Sequence, residues 1–183
     1  PVDYAQSMKV LEQRVEDVHF GKKDEFLWLL EHNLVYTAGT SSNKRDLLDK
    51  SLPIIKTNRG GKYTLHSPGQ KVVYFVLNLN KRKKDIRGLI NKVENIIIKT
   101  LKEYKIQSYN DPKNIGIWVN KNGEFKKIAA IGIRVKKWIA YHGFSINVNN
   151  DLSKYSGIIP CGIKDKSVTS IKDMGLKKFN KIE

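Results

Sequence analysis

Cys161 is the lone cysteine of this 183-residue chain, set in Ile158-Ile159-Pro160-Cys161-Gly162-Ile163. Proline stiffens the approach to the sulfur, and Gly162 lets a substrate or backbone amides come close to it. A thiol is nucleophilic only as the thiolate, so a reactive Cys161 needs a cation or base delivered by folding. One candidate is Lys127, which opens the apolar run Lys127-Ile128-Ala129-Ala130-Ile131-Gly132. Desolvation there would favour the neutral amine as a base, while the charged form would steady a thiolate. Lys126 points to the opposite face if the segment is extended, and composition does not choose between the two. A third element is the loop Arg59-Gly60-Gly61-Lys62-Tyr63-Thr64-Leu65-His66-Ser67-Pro68-Gly69-Gln70, whose glycines could bring backbone N–H groups up to a ligand. It lacks the G-x-x-x-x-G-K-S/T spacing of a phosphate loop. His142-Gly143-Phe144-Ser145 again sets a polar group beside glycine. The plain alternatives are an inert packed cysteine, a solvated lysine and an ordinary turn. Taken together, the three elements point to covalent acyl chemistry.

The rest of the composition narrows the field. With four histidines and one cysteine, no cluster has zinc-ligand spacing, so no metal is expected. A single cysteine cannot staple the fold, which fits a reducing compartment. No run approaches about 18 apolar residues, and Pro1-Val2-Asp3-Tyr4 does not open a secretory signal. The expectation is a soluble, cytoplasmic protein with no membrane partner, forming one domain over residues 1–183. Net charge is +16, yet only six of the 34 basic residues are Arg and 28 are Lys. Such a surface either reflects coding bias or steers acidic partners, raising encounter rate more than affinity. The shortage of Arg, whose fork suits phosphate, argues against nucleic acid.

These residues need elements to position them. Tyr4, Met8, Leu11, Val15 and Val18 recur at helical steps, as do Ile86, Leu89, Ile90, Val93, Ile97, Leu101 and Tyr104. Phe26 to His32 reads as a buried strand, and Val72 to Leu79 as a strand rich in β-branched and aromatic residues. Asn114 to Val119 and Lys127 to Val135 read as strands joined by Asn120-Lys121-Asn122-Gly123, with Trp138 to Val148 following. Ser167 is expected to cap a short last helix near Val168. The sum is an α+β domain with a mixed, mostly antiparallel sheet flanked by helices.

Several ordered segments resemble the octanoyltransferases of lipoate biosynthesis. They are Arg59 to Gln70, Lys127 to Arg134, Trp138 to Gly143, Asn147-Val148-Asn149-Asn150-Asp151-Leu152 and Ile159 to Ile163. The likeness extends from Leu30-Glu31-His32 and Tyr36-Thr37 to Ser167-Val168-Thr169-Ser170. One departure is Ser67, where the family usually has Gly between His and Pro. The resemblance implies a fold similar to the lipoate and biotin protein ligase catalytic domains, and no cofactor. It implies octanoyl transfer from octanoyl-acyl carrier protein to a lysine of lipoyl domains, in 2-oxoacid dehydrogenases and the glycine cleavage H protein. By the same resemblance Cys161 would be the acyl-thioester nucleophile and Lys127 the group that lowers its pKa. The acyl pocket would be lined by Arg59, Gly60, Gly61, Lys62, Tyr63, Thr64, Leu65 and His66. Ala130, Ile131, Gly132, Gly143, Phe144 and Ser145 would complete it. Two rivals predict different chemistry: an ATP-dependent lipoate-protein ligase on the same fold, and a basic nucleic-acid-binding module.

Overall fold

The computed structural model describes residues 1–159 and 167–176. In chain order the elements are α1 (Tyr4–His19), β1 (Phe26–Leu30), β2 (Val35–Ala38), β3 (Ile54–Lys56), β4 (Tyr63–His66) and β5 (Gln70–Asn78). They continue with α2 (Ile86–Glu103), β6 (Ser108–Asn110), β7 (Ile117–Lys121), β8 (Glu124–Lys136) and β9 (Ile139–Asn147). Both helices start where an aspartate caps them: Asp3 accepts from the Gln6 N–H, and Asp85 from the Gly88 N–H. Six strands pair antiparallel in the order β1-β5-β9-β8-β7-β6. A second sheet, β3-β2-β4, joins β2 to β3 in parallel and to β4 antiparallel. The chain is thus α+β with mixed, mostly antiparallel sheets, as the sequence led one to expect.

Packing follows the two helical stripes. Leu11, Val15 and Val18 of α1 meet Val72, Tyr74 and Val76 of β5 and Ile139 and Tyr141 of β9. Val93, Ile97 and Leu101 of α2 pack with Phe75, Ile117, Val119 and Ile128. Burying each such side chain stabilises the fold by about 1.5–3 kcal/mol relative to leaving it exposed. A third cluster joins Tyr36, Tyr63 and Leu65 of the small sheet to Tyr155 and Ile158. The hairpin between β7 and β8 turns on Asn122 and Gly123 alone, with φ of 54° and 88°, the left-handed pair that a two-residue turn needs.

Three expectations fail. Phe26–Leu30 is not a buried strand but the edge of the large sheet, with Leu27 73% and Leu29 49% exposed. Its outer residues had the right composition for a core but no layer to cover them. No helix starts at Val168 among the described residues. Instead the Ser167 carbonyl accepts from the Lys127 N–H, and the Thr169 N–H donates to the Lys127 carbonyl. Sheet pairing thus takes the backbone groups that a helix cap would have used. Finally, Arg59 to Gln70 is not one loop, since Tyr63–His66 forms β4 against β2.

Candidate active site

Lys127 lies near the start of β8 and is 6% exposed. Its backbone is clamped from both sides, by Trp118 of β7 and by Ser167 to Thr169. Trp118 pairs with Lys127 and Ile117 with Ala129, so Ile128 is an extra residue and β8 bulges at this point. A bulge re-aims the side chains beside it. Lys127 turns inward, its Nζ donating to the Ile115 carbonyl at 2.9 Å and lying 4.8 Å from the centre of the Trp118 ring. Lys126 instead reaches the Glu124 carboxylate at 3.1 Å. The geometry therefore makes the choice between the two lysines that composition left open.

A cavity of about 350 Å³ opens beside Lys127. That volume is within the range of small-ligand pockets. Ala130, Ile131 and Gly132 of β8 line it, as do Gly143, Phe144 and Ser145 of β9. Its opposite wall is the Arg59 turn: Gly60, Gly61, Lys62, Tyr63, Thr64 and His66 all reach it. Leu65 does not; it is fully buried and packs with Tyr36 and Tyr155 in the small-sheet cluster. Gly60 is there because a side chain would not fit, since a Cβ would sit 2.9 Å from the Ile133 carbonyl oxygen. The turn is braced by Arg59 itself. Its guanidinium donates to the carbonyls of Thr37 (2.8 Å), Lys62 (2.8 Å) and Gly60 (3.0 Å) and to the Thr37 hydroxyl. Arg59 thus shapes the wall with its charge pointed into the protein's own backbone.

His142 pairs with Ile133, six residues along β8 from Lys127, and lines that end of the cavity with its ring neighbour Tyr74 and with His66. His66 donates from Nδ1 to the Gln70 Oε1 at 2.7 Å, because that amide oxygen can only accept. Burial, with the neighbouring His32 and Arg59, pushes its pKa down to about 3. His142 is likewise pushed down to about 3 by burial and by Arg59 and Arg134. It donates from Nε2 to the Asn58 Oδ1 at 2.6 Å, leaving a buried Nδ1 with no hydrogen-bond partner among the described residues. Behind them Tyr74 donates to His32 Nε2 at 2.8 Å, and His32 donates from Nδ1 to the Val2 carbonyl at 2.9 Å. Both cavity imidazoles are therefore neutral near pH 7, and neither is a ready proton carrier. Among the described residues no group of three or more His, Cys, Asp or Glu could hold a metal ion.

The arrangement is an apolar-walled chamber with an amine at one edge and neutral rings at the other. Residues 3–181 match the lipoyl protein ligase A/B catalytic domain. The chain belongs to that family. It is 50% identical to an octanoyltransferase of Ehrlichia ruminantium (strain Gardel), covering 100% of this chain and 94% of the relative. An octanoyltransferase of Ehrlichia chaffeensis is 49% identical over 96% of this chain and 83% of its own length. In fold the chain is similar to lipoate-protein ligase A bound with ATP, with a TM-score of 0.66 at 15% identity over 88% of this chain and 71% of that one. It is also similar to the biotin protein ligase of Aquifex aeolicus, with a TM-score of 0.50 at 19% identity over 80% and 62% of the two chains. At those identities the likeness shows the fold alone.

Cys161 lies outside the described residues. Of the other site residues read from the sequence, all but Leu65 reach one cavity. Sequence reasoning missed Trp118 and Ile115, which hold the Lys127 amine, and Ile86 and Ile90, which add apolar wall. Ile86 and Ile90 stand one helical turn apart in α2, a spacing that reads equally as core. No helix among the described residues is long and apolar enough to cross a membrane.

Proposed function

We propose that this chain, an octanoyltransferase, works through a thioester on Cys161 with Lys127 as its partner. The donor is octanoyl-acyl carrier protein, and the acceptor is a lysine of a lipoyl domain. The observation that carries this reading is the buried Lys127 amine at the edge of the apolar cavity. Ser167, six residues beyond Cys161 in the sequence, bonds to the backbone of Lys127, which supports bringing thiol and amine together.

The Cys161 thiolate attacks the thioester carbonyl, forming a new C–S bond through a tetrahedral oxyanion. That intermediate collapses by breaking the bond to the carrier sulfur, which leaves as a thiol by taking a proton from the Lys127 ammonium. The acceptor amine then attacks the acyl-enzyme, the Cys161 sulfur departs, and the nitrogen gives up a proton. Lys127, left neutral by the first half, takes it and so restores the ammonium beside the thiolate. The first exchange trades one thioester for another, and amide formation drives the second, so no ATP is needed. Since His66 and His142 stay neutral near pH 7, neither carries a proton in these steps.

Mixing the protein with octanoyl carrier and measuring its intact mass tests the reading. One octanoyl adduct, released by hydroxylamine and absent in Cys161→Ser, is expected. An unmodified chain that still transfers octanoate, or transfer that requires ATP, would rule the thioester out. The carriers' part is tested by salt. If the Lys-rich surface steers acidic carriers, kcat/KM falls several-fold between low and physiological ionic strength. A flat response would leave the lysines as composition.

A further inference from the structure

We propose that Trp118 and Gly116 are positioning residues for the Lys127 amine: the indole face holds its charge, and the missing side chain at 116 leaves room for it. This inference rests on the role given to Lys127 above. Trp118 is 4% exposed, and its neighbours Ile117 and Val119 join the cluster under α2. Its ring lies against the Lys127 Nζ, 4.8 Å from ring centre to nitrogen. The ring is fixed in turn, because its Nε1–H donates to the Asn114 carbonyl at 2.9 Å. Asn114 is itself held by Asp111, whose Oδ2 accepts from its side-chain amide at 2.6 Å. The next residue, Ile115, supplies the carbonyl that takes the amine's hydrogen bond.

Gly116 completes the seat. Its φ is 132°, a backbone conformation that residues with side chains rarely adopt. A Cβ there would lie 2.8 Å from the Lys127 Cε, 3.0 Å from Nζ and 2.8 Å from the Ala129 carbonyl oxygen. The Lys127 stem therefore fills the space that any other residue at 116 would occupy. The β8 bulge sets Lys127 opposite Trp118, so one irregularity brings ring, carbonyl and glycine to the same amine.

A cation over an indole face is favoured by the ring quadrupole, most where water is excluded. Removing the ring takes away support for the charged amine and so, on the reading above, weakens its hold on the Cys161 thiolate and moves thiolate formation to higher pH. Other charges on the elements around Lys127 have partners of their own. Lys126 pairs with Glu124, and Lys121 pairs with Asp173 at 2.6 Å. Asp173 also accepts from the Thr169 hydroxyl, and Asp111 accepts from the Lys113 backbone N–H and the Asn114 side-chain amide. Across the cavity stand Arg59, turned onto backbone carbonyls, and Lys62, 3.9 Å from Asp46. None of these pairings involves the indole, so the ring's effect on the thiol can be read separately.

The lone cysteine gives a clean readout: the rate of Cys161 alkylation by iodoacetamide against pH, on the full chain. Trp118→Leu should raise the midpoint by about 0.5–1.5 pH units, Trp118→Phe by less, because Phe keeps a ring face. Gly116→Ala should raise it too, by displacing the amine. In a Lys127→Ala background the Trp118 substitutions should add nothing. If Lys127→Ala raises the midpoint and neither Trp118 variant nor Gly116→Ala does, the positioning role is overturned while that of Lys127 stands. If Lys127→Ala itself leaves the midpoint alone, the reading of Lys127 falls and this one with it. Should Trp118→Leu fail to fold, Trp118→Phe and Gly116→Ala decide the matter by the same midpoints.

Discussion

The two ends of the cavity bury nitrogen bases in different ways. At the His66 and His142 end, no acid among the described residues offsets burial, and the rings stay neutral down to a pH of about 3. At the Lys127 end, the fold brings a carbonyl at 2.9 Å and an aromatic face to the amine. Desolvation acts on both ends, but only one of them is furnished to hold a positive charge. The difference teaches where the chemistry can be. A neutral ring with a low pKa accepts or donates a hydrogen bond and shapes the chamber, whereas the amine, held by a carbonyl and a ring face, is the group we propose acts on the Cys161 thiol. Arg59 shows a third outcome, since its charge is absorbed by carbonyls of its own turn and of Thr37.

The largest effect that could break this contrast is loss of the amine. Lys127→Ala should lower kcat/KM for octanoyl transfer by about 10²–10⁴-fold, the usual range for a positioned acid–base group. A loss below tenfold, measured with saturating acceptor, would mean the Lys127 end is no more chemical than the other. The imidazole end should answer in stability instead. Gly143 follows His142 on β9, and a methyl group there would run into the Val73 carbonyl oxygen of β5. Gly143→Ala should therefore cost about 1–3 kcal/mol, lowering Tm by roughly 2–12 °C. An unchanged Tm would show that the two strands can part at this point without penalty.

How much of this could be read before folding differs between the ends as well. The two helical stripes, the Asn122-Gly123 turn and the Val72-to-Leu79 strand are local signals, and each became the element it announced. The Arg59 turn and Gly143 to Ser145 were visible as glycine beside polar groups, and they meet across β8. Lys127 was visible but not separable from Lys126, because the bulge that separates them depends on β7 pairing from the far side of the hairpin. Trp118 gave no signal at all, since a buried indole in a strand reads as core until its neighbours are known. The small sheet was hidden for another reason. Val35–Ala38 and Ile54–Lys56 are four and three residues long, too short for alternation to register, and they pair across a long stretch of chain. The low pKa values of the histidines were equally invisible, being products of burial rather than of residue type.

The smallest of these effects sharpens the contrast most directly, because it measures charge avoidance at the imidazole end. In the unfolded chain a histidine titrates near about 6.5, whereas His66 and His142 take up a proton in the fold only at about 3. The unfolded state therefore binds more protons across that interval. The stability they contribute is complete above pH 6.5 and is lost as pH falls from there toward 3. At pH 5.5 each ring should have cost about 1.4 kcal/mol relative to pH 7.5. Urea unfolding at those two pH values should thus show a drop that shrinks by about 1.4 kcal/mol in His142→Gln, whatever that variant's stability at pH 7.5. Gln can still donate to the Asn58 side chain but carries no titrating group. If wild type and variant lose the same amount, His142 is protonated in the folded state at pH 5.5. The cavity would then present a cation at both ends, and the assignment of chemistry to Lys127 would lose its contrast.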